Sequence, residues 1–133
     1  MAGWLLLVFL PRWKYVPQLI CGVLIPLLLA IVYLVLIAKY FGSAEGGFGS
    51  LAGVHALFQN QGILLAGWIH YLAFDLFIGS WEVRDARRLG VHHLLVVPCL
   101  VLTFMLGPIG LLLYFIVRAV AKRQVFADET AVV

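Results

Sequence analysis

From Val16 to Ala38 the chain carries no charged side chain. About 20 consecutive apolar residues are enough to cross the roughly 30 Å hydrocarbon core of a bilayer, and this run is long enough. A soluble fold would have to bury it beside the other apolar runs. The chain has 133 residues, of which 65% are hydrophobic and 11% charged, whereas soluble domains average about 45–50% and about 25%. Small domains have too little interior to hide such a surplus. An integral membrane protein of one domain is the expectation.

The charges agree with this. The formal net charge is +3, but Arg and Lys gather at the ends of apolar runs and form no nucleic-acid-binding stripe. Cys21 and Cys99 lie inside apolar runs, where a thiol is usually a small buried hydrophobe. There is no CxxC and no disulfide framework.

Four helices are predicted, at about 2–11, 16–38, 61–81 and 91–117, packed as an all-α membrane bundle. The first is short and is closed by Pro11-Arg12-Trp13-Lys14. A cleaved signal would place its positive charge before the apolar run, so this run reads as a helix. An Arg- and Ser-rich transit segment is also missing, which favours a bacterial chain or a mature form, and a bacterial inner membrane, cytoplasmic or photosynthetic, is the expected location. Trp13 and Tyr15 read as interfacial aromatics. Pro26 is expected to kink the second helix. Residues 42–53, GSAEGGFGSLAG, read as a glycine-rich loop. It lacks the lysine of a phosphate-binding P-loop. Residues 54–60, with His55, read as a short interfacial helix. Residues 82–90 read as a charged surface loop. Gly107-Pro108 is expected to bend the fourth helix, and 124–133 to form a loose tail. Arg12, Lys14, Arg84, Arg87 and Arg88 fall on one side of this topology, and Lys39, Arg118, Lys122 and Arg123 on the other. The positive-inside rule then leans towards a cytoplasmic 82–90 loop.

Polar groups inside the third helix are the candidates for function, because an ionisable residue within a span is costly and usually faces the bundle interior or a wet cavity. On a helix turning about 100° per residue, Trp68, Tyr71, Gly79 and Glu82 fall within about 40° of Asp75. These five make one polar-aromatic stripe. His70 lies about 140° away, with Phe77 and Trp81. Asp75 is the first candidate for chemistry and His70 the second. Trp68, Tyr71, Phe74, Gly79, Trp81, Glu82, Asp85, His92 and Gly107 are candidates for lining a ligand site. Glu82, Asp85 and His92-His93 match no specific metal spacing, and no metal is expected. A nucleophile elbow and a Ser/His/Asp set are both missing. A proton pathway across the whole membrane would need ionisable groups that the other helices lack.

The run WIHYLAFDLFIGSWEVRDAR from Trp68, then Gly90-Val91-His92-His93, Pro98 and the block Thr103 to Tyr114, resembles the small membrane proteins typified by neoxanthin synthase, the abscisic-acid-deficient-4 type. Leu10-Pro11-Arg12-Trp13 is similar to that family's first helix end. The resemblance covers nearly the whole chain, as a bacterial-type member. It implies a four-helix membrane protein of xanthophyll metabolism, acting on an epoxy-carotenoid as an isomerase or as an accessory factor for one. Rearrangement of an epoxide to an allene needs an acid and a base and no redox cofactor. A carboxyl group in a low-dielectric setting suits the acid, and His70 would be the base.

The competing reading is a non-catalytic subunit of a photosynthetic or other membrane complex that holds a carotenoid or chlorophyll. His70 would then ligate chlorophyll or haem. The partners expected on either reading are the lipid bilayer, a carotenoid, and a second copy or a membrane-complex subunit, with no nucleic acid.

Overall fold

The computed structural model describes residues 2–122, and these are helical with no strand among them. The expected tail at 124–133 lies outside the described residues. The chain divides into two compact units. One comprises the residues up to Ile25 together with those from Asp75 onward. The other is Pro26–Phe74.

In the first unit, helix α1 (Ala2–Phe9) ends where Pro11 withholds the next backbone N–H. The turn that follows is closed by the amide of Trp13 on the carbonyl of Leu10, 3.2 Å, and that of Val16 on Trp13, 2.9 Å. The chain then enters a π-helical stretch, Val16–Leu24, before the regular helix α2 (Ile25–Tyr40). A kink was expected at Pro26. The helix is irregular over the nine residues Val16–Leu24 just before it, and the amide of Ile25 reaches back to the carbonyl of Ile20. Pro26 has no N–H to donate to Gly22, so the ladder on that side is free to widen.

The second unit holds the rest of α2, a short 3₁₀ turn (Phe41–Ser43), helix α3 (Leu51–Leu57) and the start of helix α4 (Gln61–Leu89). The glycine-rich loop is shorter than predicted. Ser50 accepts a hydrogen bond at Oγ from the amide of Gly53, 3.1 Å, and starts α3 inside the expected loop. Asn60 caps α4 in the same way, its Oδ1 2.9 Å from the amide of Gly62 and 3.3 Å from that of Ile63. Gly62 and Gly67 admit rings, Tyr40 against the first and Phe58 against the second.

Two corrections bear on function. Residues 82–90 are not a loop, because α4 continues to Leu89. Gly90, at φ +64°, then closes it. The amide of Val91 bonds to the carbonyl of Ala86, 2.8 Å, and that of Gly90 to Arg87, 3.2 Å, which is a Schellman closure. The charged residues stay helical because they find partners one turn away. Arg84 donates to Ser80 Oγ, 2.9 Å, and Arg88 to Asp85 Oδ1, 2.7 Å.

The second correction concerns the fourth predicted helix, which is two helices. Helix α5 (His93–Leu106) and helix α6 (Pro108–Lys122) meet at Gly107, whose φ of +48° only glycine adopts easily. They fold back against each other. The bare Cα of Gly110 faces the backbone of Thr103 so closely that a side chain would overlap it. The bend expected at Gly107-Pro108 is a reversal.

The core of this unit joins Trp4 and Leu7 of α1, Val16, Cys21, Leu76 and Val83 of the next helices, and Val96, Cys99, Leu100 and Tyr114 of the hairpin. Trp4 packs its ring on Phe104, centroids 5.3 Å apart. Both cysteines are buried and unpaired. The segments Val16–Ser43 and Gln61–Leu89 are long and apolar enough to cross a membrane. Leu27, Leu28, Ile31, Leu34 and Val35 are exposed, as lipid-facing side chains would be.

Candidate functional site

Within the first unit, α4 presents three carboxylates to the hairpin. Asp75, Glu82 and Asp85 are seven and then three residues apart, a spacing that keeps them on adjoining rows of one helix. Gly79 lies between them, its bare Cα against Trp4 and Leu100, where a Cβ would come within 2.7 Å of the Trp4 ring. It brings the helices together and carries no polar group to a site.

Asp85 is 4% exposed and fully engaged. Its Oδ2 accepts a hydrogen bond from the Tyr114 hydroxyl, 2.7 Å, and lies 3.0 Å from Nε of Arg118. Its Oδ1 takes Arg88, 2.7 Å. Arg118 has no exposed surface. It was expected to anchor the far end of the last helix, on the side opposite residues 82–90. The hairpin brings it back onto Asp85. Its guanidinium also lies 6.0 Å from the Phe115 ring centroid. Trp81 closes the cluster with an edge contact to Tyr114 at 5.5 Å and a tilted contact to Phe115 at 5.8 Å.

Glu82 and Asp75 are treated differently. Glu82 is wholly buried. Its Oε1 accepts from Thr103 Oγ1, 2.9 Å, while its Oε2 is buried and has no hydrogen-bond partner among the described residues. Asp75 is half-buried, and its carboxylate lies over Gly107, both oxygens 3.2–3.3 Å from where a Cβ would stand. Its Oδ2 is also buried and unpartnered. Native proteins satisfy the great majority of buried polar atoms, so two such oxygens on one helix face make Asp75 and Glu82 the leading candidates for chemistry in this unit.

The remaining candidates are dispersed. His70 is exposed in the second unit, its ring stacked on Phe74 at 4.6 Å and tilted against Tyr33 at 5.6 Å. Phe74 and Trp68 are 60% and 62% exposed, and Tyr71 is half-buried in that unit. His92 is exposed at the N-terminal boundary of α5. His93 points its Nε2 at the carbonyl of Val8, 2.9 Å away. Glu82, Asp85 and the two histidines therefore do not converge. Among the described residues no group of three His, Cys, Asp or Glu side chains is placed to hold a metal. A cavity of about 320 Å³ opens beside the cluster, lined by Gln18, Trp81, Arg84, Asp85 and Arg88. Arg84 also donates to the carbonyl of Pro17, 2.8 Å, which the π-helical stretch leaves accessible.

Thr103, Tyr114 and Arg118 were not among the expected site residues. The signal for the last two was present, since they are four apart and share one face of α6. What assigns them to Asp85 is the reversal at Gly107.

Neither the curated proteins nor the solved structures contain a match to this chain. A family model, described as ABA DEFICIENT 4-like, matches residues 1–114. That match takes in α4 with its three carboxylates, all of α5 and α6 as far as Tyr114. The chain belongs to the ABA DEFICIENT 4-like family.

Proposed function

We propose that this chain is an integral membrane protein of xanthophyll metabolism that rearranges an epoxy-carotenoid by acid and base chemistry at Asp75 and Glu82. Two helices cross the bilayer in this reading. Helix α1 and the α5–α6 hairpin pack within it, each arm of the hairpin about 21 Å long at 1.5 Å per residue. The observation that carries the proposal is the pair of buried, unpartnered carboxylate oxygens on one face of α4. Asp85, one turn on, has both oxygens engaged and is structural. A carboxylate retained in an apolar span without such partners is an expense that function explains.

In the reaction, Asp75 delivers a proton to the epoxide oxygen as the ring C–O bond opens. Glu82 removes a vinylic proton, and the C–H electron pair becomes the second double bond of the allene. The oxygen stays as a hydroxyl group, so no oxidant or reductant is consumed. General acid and base groups of this kind contribute about 10²–10⁴-fold each.

The test is conversion of violaxanthin by the purified protein in detergent, read by chromatography. Asp75→Asn and Glu82→Gln are each expected to lower the rate about a hundredfold or more. Wild-type rates in both would end the proposal. His70→Ala is the companion variant, and a comparable loss there would move the base to His70.

A second reading draws on another feature. Trp4, Leu5, Val8, Leu100, Val101, Phe104 and Met105 line an almost wholly apolar groove of about 190 Å³, which suits a segment of polyene held without reaction. Stoichiometric pigment in the absorption spectrum of the isolated protein, with no conversion of added xanthophyll, would favour such an accessory subunit.

A further inference from the structure

At the end of α4 the chain forms an open cleft of about 390 Å³, separate from the carboxylate face. It is lined by Pro11 and Arg12 after α1, by Val83, Ala86 and Arg87 of α4, and by Gly90 to His93. No carboxylate lines it. Arg12 and Arg87 are exposed, and among the described residues neither makes an ion pair. His93 is held by Val8 and forms a wall. His92 stands free at the rim as the N-terminal boundary of α5, with no capping side-chain bond.

We infer that this cleft binds the phosphate of an anionic membrane lipid. Two arginines lining one concave surface supply the planar, bidentate donors that suit a phosphate group. The cleft has polar and apolar walls together, as a headgroup with its glycerol and first methylenes requires. Its place in the chain fits the source. It lies where an apolar helix of 29 residues ends, next to the exposed rings of Trp13 and Tyr15, which are side chains of the headgroup layer. The reversal at Gly107 adds Arg118 to Arg12, Lys14, Arg84, Arg87 and Arg88 at this end, which makes it the end expected at the cytoplasmic leaflet, where anionic lipids concentrate.

The experiment uses the full chain purified in a neutral detergent. Phosphatidylglycerol, phosphatidylcholine and inorganic phosphate are titrated separately, with retained lipid counted by native mass spectrometry and melting followed in parallel. Phosphatidylglycerol alone is expected to be retained and to raise Tm. The variant R12Q/R87Q is expected to lose about tenfold or more in retention. K14Q, a cation outside the cleft, is expected to behave as wild type, and R12K/R87K to recover part of the loss. Equal retention of phosphatidylcholine would overturn the inference. So would stabilisation by inorganic phosphate at the same concentration, or an equal loss in K14Q. Both arginines are exposed, and an unchanged helical circular dichroism spectrum of R12Q/R87Q separates lost binding from lost fold.

Discussion

Asp75 and Asp85 stand ten residues apart on one helix, and the fold supplies their oxygens differently. Asp85 has Tyr114, Arg118 and Arg88, while Asp75 has an oxygen with no partner. Substitutions at the two should therefore report different things. Asp85→Asn leaves the buried guanidinium of Arg118 facing a neutral amide, and breaking a buried pair in this way costs about 3–5 kcal/mol. Its melt in detergent should fall steeply, with activity lost only because the protein unfolds. Asp75→Asn removes a charge whose Oδ2 has no hydrogen-bond partner among the described residues. Its melt should stay close to that of wild type while conversion of the epoxy-carotenoid stops. Equal melts for the two variants would contradict the division of roles. The sequence placed Asp75 and Glu82 on one helix stripe and Asp85 in a charged loop just beyond it. It held nothing to say which had partners, because all of those partners but Arg88 come from residues 21–33 positions away.

At the scale of the element, the decisive feature is the turn at Gly107. Its φ of +48° and the contact of Gly110 with the backbone of Thr103 set the two arms of the hairpin against each other. Gly110→Val is expected to cost at least about 3 kcal/mol, since overpacking against backbone has no flexible neighbour to yield. Gly107→Ala should cost about 1–3 kcal/mol from a backbone conformation at positive φ that side chains rarely adopt, and its Cβ would also meet the Asp75 carboxylate. Thermal melts in detergent rank the two, and a reversed order would argue against this packing. The end of α4 was legible in the sequence but was not read there. Leu89-Gly90-Val91 is a closing signal for a helix, yet the density of charge over 82–88 reads as a surface loop when each charge is counted as solvated. The local ion pair of Arg88 with Asp85 and the hydrogen bond of Arg84 to Ser80 make the helical state the better one.

For the whole molecule, the expected outcome is a protein that stays with membranes through an alkaline wash and is released only by detergent, as two helices long and apolar enough to span would make it. Cys21 and Cys99 are both buried, so a single introduced thiol reports its own position. R87C and R12C should be labelled by a membrane-impermeant reagent only from the cytoplasmic side. Labelling from the opposite side would invert the topology. Composition and the uninterrupted run from Val16 to Ala38 settled the helical class and the fitness to cross a membrane, because both depend on apolar surface summed along the chain. The motifs around Trp68–Asp85 and Thr103–Tyr114 settled the family for the same reason, being properties of the chain in order. Tertiary structure alone decided that the last helix is a hairpin, that Arg118 lies on Asp85 and that two carboxylate oxygens are left over. Each of those facts depends on which distant backbone passes beside α4, and no local pattern of residues carries that information.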